Sequence, residues 1–182
     1  SRAFKLSRCL LNTLKYLSRI RLWRTRIILK LILSRLPFSY RFWSNLNLFR
    51  HGKMDNHYYA SKILHKHSQV LDNTIGWKGL EVGPGDGLLS AFLSPAFGAS
   101  AITLVDIDDF AHKNIDLYKE SIKHFILDNQ ELKLPDYFNM SSIDDMLNYV
   151  GASYHCEGLA SLKKLNENSY DLIFSQSVIE HI

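Results

Sequence analysis

The first 54 residues of this chain contain no Asp or Glu, against 13 Lys and Arg. All 18 acids fall from Asp55 onward, with 9 basic residues, which leaves that region nine charges negative. A basic arm thus precedes an acidic domain, and such asymmetry points to an anionic partner for the arm. Cysteine is scarce. Cys9 and Cys156 stand far apart, which excludes a disulfide framework and any Cys-based metal or redox spacing, and suits a reducing cytosol. No stretch reaches 18 uncharged apolar residues, so no transmembrane helix is expected. Arg and Lys interrupt the N-terminal apolar runs every few residues and no small-residue cleavage site follows, unlike a signal peptide. The histidines at 51, 57, 65 and 67 lack an acid or Cys to complete a metal set and read as a solvated helix face.

What is present suits one domain with a real core, since 46% of 182 residues are apolar. Residues 2 to about 35 read as one helix. Arg8, Asn12, Lys15, Arg19, Arg26 and Lys30 lie on or near a polar stripe, opposite Leu10, Leu14, Leu17, Ile27, Ile28 and Leu31. Pro37 ends it. Asp55 is the expected N-cap of a second helix to about Val70.

After Gly76 strands and helices alternate. "KGLEV" (78–82), "AITLVDI" (101–107), "SYHC" (153–156) and "YDLIFS" (170–175) read as strands. Helices are expected over 86–94 and 109–127. A third follows Ser142, which stands three residues before Asp145 as in a capping box, and Gly151 stops it. Strands alternating with helices imply an α/β domain with a parallel sheet.

"LEVGPGDGLL" (80–89) carries the chemistry. Glycines after a first parallel strand let the backbone turn sharply and approach a ligand closely. Gly83, Gly85 and Gly87 do not fit the dinucleotide fingerprint, because the third glycine comes one residue early and Leu88 holds the last position. No Gly-Lys-Ser/Thr follows, so the phosphate-loop pattern fails as well. Pro84 also removes an N–H donor from the loop. An acid on the strand, Glu81, suits a ligand with a cationic amine better than a pyrophosphate.

"LEVGPGDGLLS" resembles motif I of the class I S-adenosylmethionine-dependent methyltransferases, acid-x-Gly-x-Gly-x-Gly. "TLVDID" supplies Asp106, 19 residues after Gly87, and "YDLIFSQSVIEHI" is similar to the family's fourth-strand motif closing on Glu-His. The resemblance implies S-adenosyl-L-methionine as cofactor. Glu81 would orient its amino group, Gly83, Gly85 and Gly87 would pass beneath its methionine part, Asp106 would hold the ribose hydroxyls and Ile107 would pack on the adenine. "CEGLASL" lies at the family's adenine-contacting turn, where Glu157-Gly158 replaces the usual Gly-Asp. Gln176 would face the methyl donor or acceptor, and His181 would be the base for a hydroxyl acceptor. Each has a plainer alternative, with Asp106 a helix N-cap and His181 a structural residue at a helix start.

The resemblance covers Lys78 to Ile182, with residues 109–150 as an insertion. It implies a Rossmann-like parallel sheet of seven strands, ordered 3-2-1-4-5-7-6, truncated here after the fourth. The arm (1–54) and partial domain (55–182) are then the front of a longer protein. The order of elements also resembles methyltransferases found among surface-polysaccharide genes, which implies a small-molecule or saccharide acceptor. The basic helix of the arm would lie on an anionic surface, making the enzyme cytoplasmic and peripheral on the inner membrane face, or would instead pack on the C-terminal half of the longer protein. Specific nucleic acid is disfavoured, because the domain is acidic and the fourth-strand turn lacks the Asn/Asp-Pro-Pro-aromatic signature. A nucleic-acid methyltransferase using the basic arm and a non-catalytic binding module remain the other two classes.

Overall fold

The computed structural model describes residues 55–176. The chain divides into two units, Ser1–Arg50 and His51–Ile182, and the described residues belong to the second. The expected arm helix, the N-terminal histidine at 51 and His181 lie outside the described residues.

Four strands form one all-parallel sheet: β1 (Trp77–Val82), β2 (Ala99–Val105), β3 (Ala152–His155) and β4 (Leu172–Ser175), in the order β3-β2-β1-β4. The register aligns Glu81 with Leu104 on one side and Phe174 on the other, and Leu104 with Tyr154. Side chains alternate across a strand, so Glu81 shares a face with Ile102, Leu104, Leu172 and Phe174. All four of these neighbours are buried. The opposite face carries Leu80, Val105 and Ile173, and Ile173 is 63% exposed, so its cover is thinner. The architecture is an α/β fold compatible with the Rossmann-like class.

Helices cover the first face. α1 (His57–Ser68) buries Ala60, Ile63 and Leu64, the i, i+3, i+4 stripe of an amphipathic helix. Its cap is Asn56, whose side chain accepts from Tyr59 N at 3.1 Å, and not Asp55 as expected. The histidines of α1 are not a wholly solvated face. His57 bonds Asp128 at 3.0 Å, and the His67 ring stacks on Phe174 with centroids 5.0 Å apart.

The helix expected over 86–94 is shorter, α2 (Leu89–Leu93), followed by a 3-10 turn over Ser94–Phe97. Pro95 has no N–H to continue an α-helical ladder, and Gly98 closes the turn at φ 85°. The next helix, α3 (Ile115–Asp128), starts six residues later than the expected 109, because Asn114 caps it by accepting from Asp116 N. Tyr118, Ile122 and Phe125 form its buried stripe. α4 (Ile143–Tyr149) begins as expected, with Ser142 accepting from Asp145 N at 3.0 Å, and Gly151 follows at φ 64°.

Between α3 and α4 the chain has no regular element, yet Tyr137 is fully buried there and donates to Phe92 O at 2.6 Å. Phe92 also meets Tyr118 and Tyr137 edge-on, at 5.2 and 5.8 Å. The segment expected as an insertion is therefore part of the core. α5 (Leu159–Lys163) links β3 to β4. Parallel crossovers are right-handed, so the connections β1–β2 and β2–β3 lie on one face and the reversed step β3–β4 on the other. The sheet changes direction between β1 and β4, and a two-bonded clasp joins their starts: Lys78 N donates to Asp171 Oδ2 at 2.7 Å, and Asp171 N donates to Lys78 O at 2.9 Å.

Candidate functional site

In an open α/β sheet, ligands bind beyond the carboxyl ends of the strands where the order reverses. Here that point is the loop after β1. Gly83 and Gly85 take φ values of 77° and 69°, the left-handed region that side chains with a Cβ avoid. Gly87 is not among the positive-φ glycines. The loop runs on to Leu88 and α2 begins at Leu89, so Asp86 and Gly87 belong to the turn and not to the expected helix.

The loop is pinned to the end of β2. Gly83 N donates to Val105 O at 2.8 Å, and Gly85 N donates to Asp106 Oδ2 at 2.9 Å. Asp106 Oδ1 accepts from Ile107 N at 2.7 Å. Two amide donors thus orient the Asp106 carboxylate at the strand end. The third strand joins the same cluster, since Asp106 N donates to His155 O at 2.9 Å and Gly158 N donates to Asp106 O at 2.8 Å. Gly158 sits at φ 54°, and a Cβ there would lie 3.3 Å from Ile107 Cγ2. Three of the expected positions, Gly85, Asp106 and the turn at Glu157-Gly158, therefore meet in one hydrogen-bonded group.

Glu81 lies beneath this loop and is fully buried. Its Oε2 accepts from the Ser90 hydroxyl of α2, while Oε1 has no hydrogen-bond partner among the described residues. Burial raises its pKa from 4.5 to about 7. The Ser90 hydrogen bond opposes that rise and the nearby Asp106 charge adds to it.

The remaining expected residues are placed differently. Ile107 is 75% exposed beside Asp106, an apolar surface next to the polar cluster. The Glu157 side chain points to solvent and pairs with Lys164 at 2.5 Å, which holds its carboxyl below the usual range. Gln176 is half-buried in the bend after β4. The sequence reading missed Ser90 and Ser175. Ser175, at the end of β4 in register with Val82, has a buried Oγ with no partner among the described residues. A hydroxyl inside the apolar run "LLSAFL" (88–93) was the available signal for Ser90.

Two larger hollows, of about 490 and 650 Å3, share His65, Phe97, Glu131 and Leu132 and involve none of the glycine-loop residues. Among the described residues no group of His, Cys, Asp and Glu can hold a metal, and no helix is long and apolar enough to cross a membrane. No protein-family model, curated protein or solved structure matches the chain.

Proposed function

We propose that the chain is the S-adenosyl-L-methionine-binding part of a class I methyltransferase acting on a small-molecule or saccharide acceptor. The observation that carries this reading is Glu81, a buried carboxyl under a glycine turn with one oxygen lacking a partner among the described residues. A carboxyl there repels a pyrophosphate and attracts an amine. The strand order β3-β2-β1-β4 and the Gly85–Asp106 hydrogen bond support it.

Methyl transfer is an in-line displacement in which the cofactor supplies the leaving group, so the protein contributes mainly position. In this reading Gly83, Gly85 and Gly87 let the loop pass close to the amino-acid end of the ligand. Glu81 orients the ammonium. Asp106 holds vicinal ribose hydroxyls, for which a carboxylate is a suitable acceptor. Ile107 supplies an apolar surface for the adenine, with the Glu157-Gly158 turn beside it and Gln176 near the methyl group. A hydroxyl acceptor requires a base, the role assigned to His181.

Titration calorimetry with S-adenosyl-L-homocysteine tests the reading. Asp106→Ala should weaken binding by about 10- to 100-fold, the loss of hydrogen bonds to a charged partner worth about 1.5–3 kcal/mol. Tight NADH binding with no response to the methyl donor overturns it. The 13 basic residues before Asp55 favour one other reading, a nucleic-acid methyltransferase whose arm contacts phosphates. Sequence-selective polynucleotide binding would promote it.

A further inference from the structure

Ser90 is the only polar side chain in α2, "LSAFL", and it is fully buried. A buried hydroxyl requires a partner, and it takes Glu81 Oε2. The other oxygen, Oε1, is buried without a partner among the described residues. An unpaired buried acceptor costs free energy, and a buried negative charge costs more. The arrangement therefore places an unmet demand for positive charge directly under the glycine turn.

We infer that Ser90 is a positioning residue that fixes one oxygen of Glu81 and leaves the other to respond to a cation at the glycine loop, so that ligand binding drives a proton off Glu81. The inference rests on the cofactor reading above and adds a proton linkage and a residue to it. Because Oε1 is sealed from bulk solvent, the ligand acts on it through the electric field or through one intervening water. The released proton passes to solvent.

The surroundings of Glu81 agree with this. β2 contributes the Asp106 carboxylate, whose charge opposes ionisation of Glu81. β4 contributes Phe174 beside it and no titratable group. α2 contributes only Ser90. α1 contributes His67, stacked on Phe174 and itself held below its ordinary pKa by burial and by Lys66. From β3, Tyr154 aligns with Leu104 and is pushed up by burial, so it stays neutral. Among these groups, none supplies a fixed cation to Glu81 at neutral pH. With the free carboxyl titrating near 7, a bound ammonium shifts it to the ionised form.

The test is calorimetry of S-adenosyl-L-homocysteine binding to the full chain, in buffers of different ionisation enthalpy at pH 6 and pH 8. The expected release is close to one proton at pH 6 and close to none at pH 8, with binding about tenfold weaker at pH 6. Glu81→Gln should abolish both the release and the pH dependence. Ser90→Ala should carry the release to higher pH, because the hydroxyl no longer supports the carboxylate. Binding without proton release at pH 6, or a pH profile unmoved in Ser90→Ala, overturns the inference and leaves the cofactor reading standing. Absence of binding at both pH values overturns the cofactor reading, and this inference with it. Carbon-13 NMR of the Glu81 carboxyl in the ligand-free protein supplies an independent arm. A midpoint near 7 supports the inference, and one in the ordinary carboxylate range overturns it whatever the ligand does.

Discussion

Replacing Glu81 by Gln should change how stability depends on pH, by an amount that follows from the burial of the site. The carboxyl titrates near 4.5 when exposed in the unfolded chain and near 7 when folded. Below pH 4.5 both states hold the proton and the site contributes no pH dependence. Between 4.5 and 7 the folded chain holds more proton than the unfolded one, so folding stability falls as pH rises. Each pH unit of that interval is worth about 1.4 kcal/mol, giving a total near 3 kcal/mol, about a third of the stability of an ordinary domain. Glu81→Gln is neutral throughout and lacks this slope. Urea unfolding of both proteins from pH 4 to 8 removes other titrating groups, such as the histidines, from the comparison. The wild type should lose about 3 kcal/mol relative to the variant across the interval. A difference that stays constant within about 0.5 kcal/mol would refute the account, because it would mean that Glu81 meets water or an unrecognised cation in the folded state. Asp106→Asn should lower the midpoint of the slope, since it removes a repelling charge.

Gly76 and Gly98 form a matched pair, with φ values of 81° and 85° and a hydrogen bond from Gly76 N to Gly98 O at 2.6 Å. A Cβ at Gly76 meets nothing within 4 Å, whereas one at Gly98 falls 1.8 Å from Thr74 O. Gly76→Ala should therefore cost about 1–2 kcal/mol, the left-handed penalty alone, and Gly98→Ala clearly more, both read by urea unfolding. Tyr137→Phe should destabilise by about 1 kcal/mol in the same assay, because it leaves Phe92 O without its donor. For the arm, vesicle sedimentation should show the full chain pelleting with anionic lipid at low salt and a chain lacking residues 1–54 staying in the supernatant, with each basic residue near the surface worth about 1 kcal/mol. Equal sedimentation of the two forms would remove the membrane proposal.

The strands were legible because their runs are short, and the first three each follow a glycine, at Gly76, Gly98 and Gly151. All four appear within two residues of their expected limits, as β1 to β4. The helix starts were less legible, because several polar residues compete to cap. Asn56 wins over Asp55, and Asn114 sets the start of α3 where Asp109 was expected to lie inside the helix. Tyr137 was hidden because "LKLPDYFNM" (132–140) has no period, and its burial depends on Phe92, 45 residues earlier in the chain. In the site, the glycines and Asp106 could be read from spacing. The Ser90–Glu81 contact could not, since it depends on how α2 returns over β1.

The clasp between Lys78 and Asp171 spans 93 residues, the longest separation of any side-chain hydrogen bond among the described residues. The β1–β2 pairing closes a much shorter loop, with Trp77 against Ala99. Longer loops carry a larger closure entropy, so β1 and β2 have the advantage in time and β4 is the strand whose docking waits. β4 has one strand neighbour among the described residues, and its Ile173 remains in water. Its amides should be the first of the sheet to exchange with deuterium, and refolding should bring β4 home last. The crevice between β1 and β4 is then the final part of the sheet to take shape, and a ligand seated there would slow the opening of the same strand.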